Sequence, residues 1–231
     1  MGMMPIDLTR LRALCFDIDG TLANTDDQMV RRLERLLYPL RGIFPNGNPR
    51  AFARRLVMAL ESPANTLYHC MDHLGLDGPA ARMYGRLANL GGSLHKKKKY
   101  WLVPHTREVV EQLSQRYPLG IVTARMESDT MQFLEQFDLL RFFTAIATVQ
   151  TCTHTKPFPD PLLWTVAKLG VTPAECAMIG DTIVDIHAGK AAGAQTIGLL
   201  CGFGRADELR RAGADLILNG PEGLVKALLI E

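Results

Sequence analysis

The sequence predicts an α/β protein with a doubly wound parallel sheet and an α-helical cap inserted after the first strand. Short apolar runs alternate with amphipathic stretches, as they do when strands and covering helices follow one another along a chain. One long segment, residues 22–103, lacks strand-like alternation. Several runs end in carboxylates or a hydroxyl, which places polar groups at the carboxyl edge of the sheet, where such sheets bind ligands.

Six apolar runs have the length of buried strands. The first, residues 12–18, ends in carboxylates, and the others are residues 119–123, 145–149, 176–179, 196–200 and 215–218. Four stretches between them carry apolar residues at spacings of three and four, as an amphipathic helix requires. They are residues 108–116, 129–137, 161–169 and 183–192.

Residues 22–103 are predicted to form the helical cap, and residues 1–21 with 104–231 the α/β core. Three pairs in the insertion join a capping side chain to a proline of a first helical turn. They are Asn48 with Pro49, Ser62 with Pro63, and Asp77 with Pro79. The insertion is basic and the remainder is acidic, so its surface either attracts anions or is simply solvated.

The composition, with 47% hydrophobic and 22% charged residues, is typical of a folded globular protein. The five cysteines form no CxxC pair, so neither a disulfide framework nor a zinc site is predicted. The sequence lacks the pattern of a signal peptide or a membrane span, which favours a soluble, cytoplasmic protein with no membrane partner. The run 96–99 of four lysines is typical of a hydrated linker, so no nucleic-acid partner is expected, and monomer and homodimer both stay open.

Two carboxylates, Asp17 and Asp19, lie two residues apart at the end of the first strand, in the segment DIDGT. Burying both is costly unless a proton or a cation neutralises one of them. A Mg²⁺ ion meets that need, because it binds carboxylate and carbonyl oxygens and pairs with phosphate. Taken alone, the pair is equally consistent with an ordinary acidic loop.

Three further segments follow predicted strands: GIVTA with Thr123, KPFPDP with Lys156, and GDTIVD with Asp181 and Asp185. In isolation Thr123 reads as structural, Lys156 as a surface lysine and Asp181 as a helix cap. In this order, and with DIDGT before them, the segments resemble the haloacid dehalogenase superfamily, specifically its phosphoglycolate-phosphatase-like group with a helical cap. The resemblance spans residues 12–218 and implies a Rossmann-like core.

The resemblance implies a Mg²⁺-dependent phosphatase that hydrolyses a small phosphorylated metabolite through an aspartyl-phosphate on Asp17. Asp19 would protonate the leaving oxygen and then activate water, while its backbone carbonyl joins Asp17 and Asp181 around the metal. Thr123, with backbone donors beside it at Ala124, would bind the phosphoryl oxygens.

Supporting roles follow from the same resemblance. Lys156 would neutralise the phosphate, and Asp185 would orient Lys156 or a metal-bound water. Gly20 and Thr21 complete the DIDGT loop, and Gly180 permits a close backbone approach at the end of its strand.

Two residues depart from the pattern or extend it. Arg125 stands where relatives commonly carry a small or amide residue, so it either binds a second anionic group of the substrate or faces solvent. His154, two residues before Lys156, either reaches the site or is a hydrogen-bonding surface residue.

Other functions stay open from the sequence. A phosphosugar mutase of the same superfamily shares the covalent chemistry. A dehalogenase would need neither a metal nor Asp19, and a phosphonatase would need a cap lysine that forms a Schiff base. A catalytically idle binding module is disfavoured, because the acidic and basic set is intact.

Overall fold

The computed structural model describes residues 6–24, 33–44, 49, 52–53 and 99–229. The chain divides into two compact units, residues 1–26 with 100–231, and residues 27–99. The first unit thus contains residues 22–26 and 100–103, whereas the predicted insertion spans 22–103. The cap itself stays a prediction, because Asn48, Ser62 and Asp77, where its helices are expected to begin, lie outside the described residues.

A parallel six-stranded sheet forms the centre of the described part of the first unit. Its strands are β1 (Ala13–Phe16), β2 (Leu119–Val122), β3 (Phe143–Ala147), β4 (Cys176–Gly180), β5 (Gln195–Leu199) and β6 (Leu216–Leu218). They lie in the order β3-β2-β1-β4-β5-β6, and all neighbours pair in parallel. The chain proceeds from β1 toward one edge and from β4 toward the other. The loops leaving β1 and β4 therefore diverge and leave a crevice at their carboxyl ends.

Helices follow most of the strands. They are α1 (Thr106–Ser114), α2 (Glu127–Gln136), α3 (Asp160–Leu169), α4 (Ile183–Ala192), α5 (Ala206–Arg211) and α6 (Glu222–Leu229). Short 3₁₀ turns span Tyr38–Ile43, Leu140–Phe142 and Pro173–Glu175. Alternate residues of β1 face opposite layers: Leu14 and Phe16 pack with buried residues of α1 and α6, and Cys15 packs with those of α3. Strand β1 is covered on both faces, which explains its continuous apolar sequence.

The prediction of a doubly wound parallel sheet is confirmed, with six strands and four helices near their expected positions. Strand β3 begins at Phe143, two residues before the predicted start, and its residues alternate between buried and more exposed positions, as an edge strand allows. Helices α5 and α6 are not predicted by the sequence pattern, since 6 and 8 residues span too few turns to show a helical period. Among the described helices, none is long and apolar enough to cross a membrane.

Gly120 lies on β2 where α3 packs against the sheet. A Cβ atom at this position would overlap the Thr165 methyl group and lie 3.2 Å from Cys15 Sγ. Thr165 is fully buried, and its hydroxyl donates a hydrogen bond of 2.7 Å to the Pro161 carbonyl. Because rotation of Thr165 would break that bond, the contact between β2 and α3 depends on glycine.

We expect Gly120→Ala to lower the free energy of unfolding by about 1–3 kcal/mol, because overpacking forces strain into a close-packed core. Urea unfolding followed by circular dichroism measures the change. Gly42→Ala is the control, since a Cβ there meets no atom within 4 Å, and its effect should stay within about 0.5 kcal/mol. Equal unfolding midpoints for wild type and Gly120→Ala would contradict the described contact.

Candidate active site

Four side chains that the sequence nominates meet at the carboxyl edge of β1 and β4. Their exposed fractions are small: Asp17 6%, Lys156 6%, Asp181 0% and Asp185 1%. Asp17 directly follows β1, and its amide donates a hydrogen bond of 2.9 Å to the Ile179 carbonyl of β4. Since this bond continues the strand pairing by one residue, the backbone of Asp17 is fixed to the sheet.

Lys156 bridges two buried carboxylates. Its Nζ lies 2.7 Å from Asp17 Oδ1 and 2.6 Å from Asp185 Oδ1. Burial lowers the pKa of Lys156, but the charges and hydrogen bonds of the two aspartates raise it more, so the pKa lies above its usual value. The ammonium group therefore stays charged inside the site.

The carboxyl group of Asp17 is destabilised in its charged form. Burial raises the pKa of Asp17 to about 7; Lys156 opposes the rise, while Asp185 and Asp19 add to it. Near neutral pH the metal-free site therefore holds a proton on Asp17 in a large share of molecules. A divalent cation beside this carboxyl would favour its ionised form.

Asp185 is held by the start of α4. Its Oδ2 accepts hydrogen bonds from the Thr182 amide at 3.0 Å and the Thr182 hydroxyl at 2.8 Å, while Oδ1 contacts Lys156. One oxygen of Asp185 therefore binds the start of the helix and the other binds Lys156, so Asp185 links Lys156 to α4. A Cβ at Gly180 would overlap the Asp185 side chain, so the predicted close approach lies between these two residues.

Asp181 is positioned from two sides. Its Oδ1 accepts a hydrogen bond of 3.2 Å from the Thr21 hydroxyl, and its Oδ2 accepts one of 2.8 Å from the Phe203 amide. Gly20 has a φ angle of 76°, and a Cβ there would overlap the Asp181 carboxylate. Glycine is thus required at this position both for backbone conformation and for space.

The loop after β5 belongs to the site, although the sequence reasoning missed it. A Cβ at Gly202 would overlap the Asp181 carboxylate, and one at Gly204 would overlap the Asp181 carbonyl. Phe203, between them, supplies the amide that binds Asp181. The available signal is the pair of glycines two residues apart, directly beyond a strand that ends at the same edge of the sheet.

The donor set fits a hard divalent cation. Among the described residues, carboxylate oxygens of Asp17, Asp181 and Asp185 lie within 4.8 Å of one another. Because Asp185 is engaged by Lys156 and Thr182, Asp17 and Asp181 are the two carboxylates best placed to bind a metal. Such all-oxygen sites suit Mg²⁺.

The charges of the site also favour a divalent cation. Four carboxylates, those of Asp17, Asp19, Asp181 and Asp185, lie near two cationic side chains, Lys156 and Arg125. The difference is two negative charges, which one divalent cation would neutralise. Without it, the buried acidic group would carry a large desolvation cost.

Asp19 and Arg125 form a two-point ion pair. Arg125 Nε donates to Asp19 Oδ2 and Nη2 donates to Asp19 Oδ1, each at 2.6 Å. The Arg125 side chain is only 12% exposed, so the expectation that it faces solvent is wrong. Burial lowers the pKa of Arg125, but its hydrogen bonds and ionic contact with Asp19 raise it more. A contact between Arg125 and substrate stays a prediction.

Two other sequence-nominated residues flank this pair and one lies apart from it. Thr123 is buried directly after β2, and its Oγ1 accepts a hydrogen bond of 3.2 Å from the Arg125 amide. Ala124 is exposed. The His154 side chain is 46% exposed; its Nδ1 lies 3.3 Å from Asp160 Oδ1, and its ring packs at a tilt against that of Phe158. The structure gives His154 surface contacts and no place in the buried cluster.

Comparison with known proteins gives a family match over most of the chain. The sequence profile described as haloacid dehalogenase-like hydrolase matches residues 14–199. A phosphoglycolate phosphatase of Escherichia coli O157:H7 is 28% identical over 242 aligned positions, covering 94% of this chain and 92% of the relative. A phosphoglycolate phosphatase of Salmonella paratyphi A is also 28% identical, over 245 positions and 96% of this chain.

Solved structures share the fold. A haloacid dehalogenase-like family hydrolase from Streptococcus pneumoniae superposes with a TM-score of 0.65 at 20% identity, covering 94% of this chain and 98% of that protein. A hydrolase from Pseudomonas syringae gives a TM-score of 0.64 at 25% identity and covers 94% of this chain and 97% of its own.

We expect Asp17→Asn to stabilise the metal-free protein at pH 8. Because the folded pKa of about 7 lies above the ordinary 3.8, the folded state binds more protons between these values, and stability falls as pH rises through this range. Asparagine removes that loss. Calorimetry in a chelator should show a melting temperature roughly 3 °C or more above wild type at pH 8, with a smaller difference at pH 5.

Asp138→Asn is the control for this measurement, since Asp138 pairs with Arg107 at the surface. It should show no gain that grows with pH. A Tm of Asp17→Asn below that of wild type at pH 8 would contradict the raised pKa of Asp17.

We expect Thr21→Val to weaken Mg²⁺ binding by about 10-fold, since residues that orient a metal ligand typically contribute 10–100-fold to affinity. Isothermal titration calorimetry measures this without any assay of activity. Thr130→Val is the matched control, because Thr130 is equally buried but donates to the carbonyl of Met126, the residue before α2. Equal affinities for Thr21→Val and Thr130→Val would show that the Thr21 hydroxyl does not position Asp181.

Proposed function

The chain belongs to the haloacid dehalogenase-like hydrolase family, and we propose that it is a Mg²⁺-dependent phosphatase that acts on a small phosphorylated metabolite. The observation that carries the proposal is the contact of 2.7 Å between Lys156 Nζ and Asp17 Oδ1, beside Asp181 at the carboxyl edge of the sheet. A carboxylate repels a phosphate dianion, and a cation in contact with both reduces that repulsion.

The first step transfers the phosphoryl group to Asp17. An oxygen of the Asp17 carboxylate attacks phosphorus, the new O–P bond forms, and the bond between phosphorus and the ester oxygen breaks. Asp19 gives its proton to the departing oxygen, so that an alcohol leaves. Thr123 and the backbone around Ala124 are proposed to bind the phosphoryl oxygens.

The second step regenerates the enzyme. Asp19 takes a proton from a water molecule, the water oxygen attacks phosphorus, and the O–P bond to Asp17 breaks. Phosphate leaves and the Asp17 carboxylate is restored. A bound Mg²⁺, held by Asp17, Asp181 and the Asp19 carbonyl, would withdraw negative charge from the phosphoryl oxygens.

The substrate proposal starts from the relatives. Two of them carry the name phosphoglycolate phosphatase, so 2-phosphoglycolate is the first ester to assay. Sugar phosphates and nucleoside monophosphates complete the panel. The residues at the carboxyl edge of the sheet are proposed to bind the phosphate group, and they do not indicate which alcohol it is attached to.

We expect the protein to release inorganic phosphate from at least one ester of this panel in Mg²⁺, and to lose this activity in excess EDTA. Asp17→Asn should lower kcat by at least about 10³-fold, since its amide cannot form the acyl phosphate. A colorimetric phosphate assay measures both effects. Asp138→Asn is the control: Asp138 is exposed and lies just beyond the C-terminus of α2, so this variant should retain wild-type rates.

Each competing function has its own result in this assay. Transfer of phosphate between sugar hydroxyls without release of inorganic phosphate would indicate a mutase. Turnover that is unchanged in EDTA would contradict the metal requirement. No turnover of any ester would favour a binding module and would overturn the proposed function.

A further inference from the structure

The side chain of Asp19 is held in one orientation by Arg125. Two parallel hydrogen bonds of 2.6 Å join the guanidinium fork to both carboxylate oxygens. A single contact would leave the carboxylate free to rotate, whereas two fix both its direction and its plane. The Asp19 side chain is 36% exposed, so packing restrains it only in part, and the ion pair with Arg125 helps to fix where the carboxylate lies.

Arg125 is itself fixed by its surroundings. Its guanidinium carbon lies 5.1 Å from the ring centre of Tyr100 and 5.2 Å from that of Phe133. Both rings are buried, and their centres are 5.7 Å apart in an edge-to-face arrangement. The aromatic pair therefore holds the guanidinium by cation–π contacts, which gain strength in a site with little water.

The aromatic pair of Tyr100 and Phe133 is held by α2. The Tyr100 carbonyl accepts a hydrogen bond of 3.1 Å from Gln136 Nε2, and Phe133 belongs to α2. The backbone of Arg125 is held as well, because its carbonyl accepts a hydrogen bond of 3.1 Å from the Val149 amide. The arginine is thus fixed at both ends of its side chain before any substrate binds.

The three acids near Asp19 give a reason for Arg125 to restrain its carboxylate. Asp17, Asp181 and Asp185 lie close together, and a freely rotating Asp19 could turn toward a metal bound among them. Arg125 donates one hydrogen bond to each carboxylate oxygen, and each oxygen has two lone pairs. The two hydrogen bonds from Arg125 therefore do not by themselves prevent proton transfer at Asp19.

We propose that Arg125 is a positioning residue that acts through Asp19, placing its carboxylate for proton transfer at the leaving oxygen. The proposal rests on the proposed function. It assigns Arg125 a role in catalysis that differs from substrate binding, and it makes the benefit of Arg125 greatest for alkyl phosphates, whose departing oxygens are strongly basic and need a proton most.

The test is a double-mutant cycle with Arg125→Gln, Asp19→Asn and the combined variant, assayed on one alkyl phosphate and one nitrophenyl phosphate. Arg125→Gln should lower kcat for the alkyl ester by about 10–100-fold, as misplacement of a catalytic group does, and lower it much less for the aryl ester. When Asp19 is already replaced by Asn, Arg125→Gln should change kcat by less than about twofold, because residue 19 can then no longer transfer a proton.

Two further variants separate positioning from general damage. Arg125→Lys retains the positive charge but cannot make the two-point contact of a guanidinium, so its loss of kcat for the alkyl ester should lie between those of wild type and Arg125→Gln. This variant should also stay folded if Arg125→Gln does not. Arg107→Gln is the matched control, because Arg107 forms an exposed ion pair of 3.0 Å with Asp138. Calorimetric Mg²⁺ affinity should be the same for Arg107→Gln as for the wild type.

The outcomes distinguish this inference from the proposed function. The role of Arg125 would be overturned if Arg125→Gln lowered kcat equally for both esters. It would also be overturned if the fold-losses in kcat of the two single variants multiplied in the double variant. Either result would leave the proposed phosphatase function standing. A higher KM for 2-phosphoglycolate alone, with kcat unchanged, would make Arg125 a contact for the second anionic group. A wild-type protein that hydrolyses no ester would overturn the proposed function and this inference together.

Discussion

The contact of one ammonium group with two buried carboxylates organises the site. Lys156 joins Asp17, which follows β1, to Asp185 in the first turn of α4, so three distant parts of the chain meet at one ammonium group. Burying these three charges is costly, and loss of Lys156 would leave two buried carboxylates without a counter-charge. The excess of acid that remains after this pairing is what makes the site suited to a divalent cation.

The order of the strands brings these charges together. Because β1 and β4 are neighbours at the point where the winding reverses, Asp17 and Asp181 extend from adjacent strand ends. The surrounding backbone then approaches unusually closely, with Gly20, Gly202 and Gly204 all next to Asp181. Side chains at these positions would fill the space of the carboxylate, so the position of the Asp181 carboxylate depends on these glycines.

Much of the sheet and the acidic cluster follows from sequence because the signal is local. A buried parallel strand needs a continuous apolar run, and Asp17 and Asp181 directly follow such runs. The role of Phe203 gives no such signal, since its contribution is a backbone amide that any residue except proline could supply. The pair of Asp19 and Arg125 depends on rings at Tyr100 and Phe133, and residues so far apart in sequence meet only through the fold.

The amide of Asp17 is bonded to the Ile179 carbonyl, as the next rung beyond β1. In the proposed reaction the Asp17 oxygen would therefore stay in place, and the phosphorus atom would move during each step. It would move between this stationary oxygen and the oxygen of the departing alcohol or of the attacking water. The fixed backbone of Asp17 would thereby restrict both of these oxygens to a single line through phosphorus.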